Sequence, residues 1–93
     1  MPRPCKRRRI RGRPGSNLFK PAGVPASSLE TVDLSLAEFE ALRLHDYQGK
    51  DQQESAEMMD ISQPTFYRLI SSARKKVAEA ITTGSAIEIE EKE

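Results

Sequence analysis

The stretch that decides the fold is DQQESAEMMDISQPTFYRLISSARKKVAEAI, residues 51–81. It predicts two helices joined by a tight turn. Asp51, with Glu54 three residues on, is a capping-box-like start: an acceptor for free N–H groups, then a carboxylate that reaches back. A first helix of about two turns follows, with Ala56 and Met59 on one face. Asp60 interrupts it, Ile61 is apolar, and Ser62 offers a second N-cap. Pro64 then falls in the first turn of the new helix, where a missing N–H costs little. From there Phe66, Leu69, Ile70, Ala73, Val77, Ala80 and Ile81 recur at helical spacing, a stripe for burial along one long helix.

Two helices that cross steeply across a short turn need a small residue where one passes over the other, and Ala56 supplies it. Ile61, Phe66 and Leu69 would close the small core between them. This leaves Ser62, Gln63, Thr65, Tyr67 and Arg68 at the exposed N-terminal end of the second helix, the end that a helix-turn-helix inserts in the major groove. These five are the candidate base contacts. Ser71, Arg74 and Lys75 on the same polar, basic face, and Gln53 at the start of the first helix, are candidate phosphate contacts.

The run from Gln53 to Leu69 resembles the general helix-turn-helix pattern, and ISQPTFYRLI followed by ARKKVAEAI is similar to region four of primary sigma factors. More narrowly, the opening MPRPCKRRRI, then FKPAGVP, then LETVDLSLAEFEALRLHDYQGK and the tail GSAIEIE make the chain resemble a small prokaryotic family of predicted DNA-binding proteins, domain of unknown function one-three-four. The resemblance covers most of the chain and implies a DNA-binding helix-turn-helix. Two positions depart from the motif's usual pattern. Asp60 stands where the sharp turn usually has Gly, and Ser55 where related motifs often carry an apolar residue. Asp tolerates left-handed backbone better than most residues, so the turn is still feasible.

The net charge of +1 hides an asymmetry, because Arg3, Lys6, Arg7, Arg8, Arg9, Arg11, Arg13 and Lys20 precede any acidic residue. A second basic cluster, Arg68, Arg74, Lys75 and Lys76, lies on the long helix, whereas residues 51–60 carry four acids and no base. A polyanion that touched the arm and the second motif helix would suit this sorting. Met1 to Pro14 is too charged and too poor in apolar residues to fold alone, and is expected to be a disordered arm until bound. Within it, Arg11-Gly12-Arg13-Pro14 resembles the core of an AT-hook; Arg7, Arg8, Arg9, Arg11 and Arg13 are candidate phosphate or minor-groove contacts.

Gly15 to Ser28 reads as an extended connector that Leu18 and Phe19 can pin to the domain. Val32 with Leu34, and Ile87 with Ile89, alternate as in two short strands, paired within the chain or between subunits. Ser35 with Glu38 forms a capping box, stapled by Leu34 and Phe39, at the start of a helix that Gly49 ends; Leu36, Phe39 and Leu42 share its apolar stripe, with Leu44 and Tyr47 beside it. His45 has no partner nucleophile and reads as a surface or partly buried residue.

Ninety-three residues allow one small domain with a modest core and argue against an enzyme. Cys5 and His45 are each the only one of their kind, so neither an intrachain disulfide nor a four-ligand zinc site is expected, and nothing suggests a cofactor. No apolar run is long enough to span a membrane and no secretory signal is seen, which makes the cytoplasm the expected compartment. The expected fold is mainly α: a three-helix helix-turn-helix domain over 29–89, preceded by a disordered basic arm and Pro/Gly connector over 1–28, with two short strands and an acidic tail at 90–93. The expected function is sequence-specific binding of double-stranded DNA as a homodimeric transcriptional regulator. Two alternatives stand beside it: a module that docks on the transcription machinery, with RNA polymerase as a partner, and non-specific RNA or nucleoid binding.

Overall fold

In a computed structural model that describes residues 9–91, the chain forms three helices and a small sheet. The strands are β1 (Leu18–Phe19), β2 (Thr31–Leu34) and β3 (Ala86–Ile89); the helices are α1 (Leu36–Ala41), α2 (Gln52–Met59) and α3 (Gln63–Thr83). The architecture is mainly α, as the periodicity predicts.

Each helix starts where its cap lies. At α1 the box closes both ways: Ser35 Oγ accepts from the Glu38 N–H at 3.0 Å, and Glu38 Oε1 accepts from the Ser35 N–H at 2.9 Å. At α2 only the forward half forms, with Asp51 Oδ1 accepting from the Glu54 N–H at 2.7 Å. At α3 Ser62 Oγ accepts from the Thr65 N–H at 3.3 Å. Asp60 closes α2 in the left-handed region, at φ 60° and ψ 44°, and the Ile61 N–H returns to the Ala56 carbonyl at 3.0 Å. A single left-handed residue thus suffices to reverse the chain between α2 and α3 without glycine.

Two apolar clusters lie on either side of α1. Ala37, Ala41 and Leu44 face Ala56, Met59, Phe66 and Ile70, while Leu36, Phe39 and Leu42 lean on Leu34, Ala73 and Ile89 beneath the sheet. The expected stripe of Leu36, Phe39 and Leu42 is therefore only the lesser half of the burial. The fully enclosed side carries alanines, whose short side chains let α2 and α3 come close.

Three expectations are corrected. The helix begun at Ser35 is α-helical only to Ala41; Leu42–Tyr47 is wound as a π-helix, with the Gln48 N–H on the Arg43 carbonyl at 2.9 Å, and Tyr47 is 85% exposed. Ile81 is 75% exposed, because the buried stripe of α3 stops at Ala80. There are three strands rather than two: β3 is central, parallel to β2 and antiparallel to β1, so the connector is pinned by Leu18 and Phe19 as a strand. The pairing of Val32–Leu34 with Ile87–Ile89 lies within the chain, with Leu34 and Ile89 buried in the core and β3 flanked on both edges. Of the basic arm, residues 1–8 lie outside the described residues; from Arg9 onward the segment is seated on the body, with Arg9 N–H donating to the Met59 carbonyl at 2.9 Å and the amides of Arg11 and Gly12 bonded to Glu40.

Ser55, the other departure from the motif pattern, is fully buried, and its hydroxyl finds no partner among the described residues. An unsatisfied buried hydroxyl is costly. Ser55→Ala should raise stability by about 1 kcal/mol in urea denaturation; a loss of stability would mean that the hydroxyl is bonded in solution.

Candidate nucleic-acid interface

Helix α3 divides along its length. At 100° per residue, Gln63, Tyr67, Arg68, Ser71, Arg74 and Lys75 fall within an arc of about 140°, and all six are exposed. Phe66, Ile70 and Ala73 lie opposite, fully buried. Thr65 stands off this arc, half-buried, and its hydroxyl accepts from Ser62 Oγ at 2.9 Å. Ser62 is exposed and shares its side chain between two capping bonds. Gln53 is exposed in the first turn of α2. Arg9, Arg11 and Arg13 are exposed as well, on a segment seated against the body; Arg7 and Arg8 lie outside the described residues.

Ion pairing sorts the basic side chains. Arg74 forks onto Asp46, with Nε 3.0 Å from Oδ2 and the second nitrogen on Oδ1. The bond from Arg74 holds the Asp46 carboxyl below its usual pKa. Lys76 reaches Glu38 at 2.9 Å, Arg43 reaches Glu40 at 2.7 Å, and Lys50 stands 3.9 Å from Glu54. Among the described residues, the cations that meet no carboxylate are Arg9, Arg11, Arg13, Lys20, Arg68 and Lys75. Arg74, expected among the phosphate contacts, is thus already occupied. Its pair is about half exposed and so is worth under about 1 kcal/mol, which an incoming anion can outbid.

Two buried carboxylates on α1 hold the surrounding elements. Glu38 accepts from Ser72 Oγ, Lys76 Nζ and the Ser35 amide, and so ties α1 to α3. Glu40 has no exposed surface and takes four bonds: Arg43 Nε at 2.7 Å, the second Arg43 nitrogen at 2.8 Å, and the amides of Arg11 at 3.0 Å and Gly12 at 3.3 Å. Burial pushes both carboxyls up, but their donors outweigh it and leave both below the usual carboxylate value. A Cβ on Gly12 would overlap the Arg43 side chain at Nε. The backbone of the RGRP segment therefore packs on the protein through the residue that an AT-hook would sink into DNA, while Arg11 and Arg13 point outward.

Glu40, Arg43 and Asp46 are absent from the residues that the sequence nominates. The only signal is the i, i+3 spacing of Glu40 and Arg43, which any exposed helical pair shares. His45 is structural: a carbonyl can only accept, so His45 Nδ1 donates to the Lys50 carbonyl at 2.6 Å, and the ring meets Phe66 edge-on at 6.0 Å. No group of potential metal ligands is found among the described residues, nor any helix long and apolar enough to cross a membrane.

Comparison with known proteins comes down to one family. A family model described as protein of unknown function DUF134 matches residues 1–93. A UPF0251 protein of Thermoanaerobacter pseudethanolicus is 53% identical over 90 residues, which covers 97% of this chain and 76% of the relative. Similar proteins occur in Caldanaerobacter subterraneus, 51% identical over 97% of this chain and 76% of its own length, and in Dehalococcoides mccartyi, 53% identical over 97% and 77%. No solved structure matches the chain.

Glu38, Glu40 and Asp46 all have folded-state pKa values below their ordinary ones, 4.5 for the two glutamates and 3.8 for Asp46. The unfolded chain therefore takes up protons first, so their stabilisation is complete above those values and is lost as pH falls below them and through the lower folded-state ones. Thermal melts across that range should show a steep acid limb that Glu38→Gln flattens; an unchanged limb would place the acid-sensitive groups elsewhere.

Proposed function

The chain belongs to the DUF134 family of proteins of unknown function, and on its geometry we propose that it binds double-stranded DNA sequence-specifically, as a transcriptional regulator rather than a catalyst. One observation carries the reading: the exposed arc of α3 concentrates Gln63, Tyr67, Arg68, Ser71 and Lys75 on a helix whose opposite stripe is sealed into the core. A rigid helix with hydrogen-bonding and cationic side chains on one face fits the major groove, its leading turn against base edges. In this proposal α2 and α3 act as a helix-turn-helix, Gln63 and Arg68 read bases, Ser62 and Gln53 steady the backbone, and Lys75 and Arg74 hold phosphates once Asp46 gives way. The rival docking role draws on a largely apolar groove of about 650 Å³ edged by Phe19, Phe39, Tyr47 and Val77. Salt separates the two, since phosphate neutralisation gives a steep dependence and an apolar contact does not.

Selection from random duplex DNA should yield a preferred site. Gln63→Ala and Arg68→Ala should then each cost about 1–3 kcal/mol on that site and far less on scrambled DNA. Equal losses on both would make these residues phosphate contacts or structural ones.

We also propose that the protein works as a homodimer, since one such helix makes few base contacts and two-fold symmetry doubles them. The seam suggested by exposure runs along the end of α3, where Ile81 and Phe19 edge one shallow groove. Sedimentation at micromolar concentration should show a dimer that Ile81→Lys dissociates. A wild-type monomer would remove the dimer, and a dimer indifferent to the change would move the seam.

A further inference from the structure

We infer that Glu40 is a positioning residue that holds residues 9–13 as a pre-formed row of arginines, set to follow the phosphates of one strand next to the α2–α3 turn. This rests on the DNA-binding reading above and gives it a second, fixed contact.

Burial along the segment alternates, with Arg9, Arg11 and Arg13 exposed and Ile10, Gly12 and Pro14 turned inward. The inward side is anchored at two places. Arg9 N–H is bonded to Met59, the last residue of α2, and the amides of Arg11 and Gly12 to the buried Glu40 carboxylate. Arg43 grips the same carboxylate, and its side chain fills the space beside Gly12 that a larger residue would need. Successive arginine Cα atoms are at most about 7 Å apart, so three long side chains can meet a run of neighbouring phosphates. None of the three guanidiniums is paired with a carboxylate among the described residues. The anchor at Met59 sets the first of them beside the turn from which α3 and its leading residues, Ser62 and Gln63, begin. A flexible arm would lose conformational freedom on binding; a seated one has lost it already.

The experiment measures binding to a short duplex carrying the site selected above as a function of salt, for wild type, Arg68→Ala, the triple change Arg9→Ala, Arg11→Ala and Arg13→Ala, Glu40→Gln, and the last two combined. The triple change should lower the salt slope by about 2 to 3 and weaken binding tenfold or more. Glu40→Gln leaves every arginine in place, and should weaken binding about threefold to tenfold while exposing the Arg11 and Gly12 amides to hydrogen exchange. In the triple-alanine background Glu40→Gln should add nothing. Gly12→Ala, which disturbs the seat without touching the carboxylate, should behave like Glu40→Gln and covers the case in which that variant fails to fold. An equal loss from Glu40→Gln with and without the arginines would make it structural only and overturn the inference. So would a triple variant that keeps the wild-type slope; if Arg68→Ala still weakens binding in that case, the DNA-binding reading survives alone. A wild type that does not bind duplex DNA ends both.

Discussion

An ionised carboxylate with no exposed surface persists only if donors replace the water it has lost, and in this protein that requirement organises the chain. Helix α1 is six residues long, too short to be stable by itself, yet it carries two buried glutamates. Glu38 gathers donors from the start of its own helix and from the middle of α3; Glu40 gathers them from Arg43 and from the backbone of the N-terminal segment. Each carboxylate thus compels a different part of the molecule to approach α1. Apolar contact between α1 and its neighbours gives affinity without direction, whereas these bonds specify which amide and which side chain come in.

That division explains what was legible in the sequence. Features with a period or a local cap could be read: the start of α1 from Ser35 and Glu38, the two motif helices from Asp51, Ser62 and Pro64, and the buried stripe of Phe66, Ile70 and Ala73. The left-handed turn at Asp60 could be read too, because few side chains tolerate that backbone. The π-helical winding of Leu42–Tyr47 could not, since one widened turn shifts the hydrogen bonds by a residue without altering which residue types occur. The seat of residues 9–14 was equally hidden. It depends on a carboxylate some thirty positions away, |i−j| being 29 for Arg11 and 28 for Gly12, and composition alone describes that stretch as an unfolded polycation. As for the candidate interface, its residues were nominated by their face on one helix; Gln63, Tyr67, Arg68, Ser71, Arg74 and Lys75 share an exposed arc, whereas Thr65 stands off it, half-buried. The pairing of Arg74 with Asp46 was missed because it joins two elements whose approach is tertiary.

The order of the sheet has a consequence for how the molecule comes into being. β3 lies between β1 and β2, so neither of the earlier strands has a partner until residues 86–89 are available. The helices can gather around Phe66 while the chain is still emerging, but Leu18, Phe19 and the exposed edge of β2 must wait. A nascent chain halted before Ala86 would therefore present unpaired strand edges and the uncovered side of Leu34 to whatever lies nearby, a species that invites chaperones and self-association until the last strand slots in.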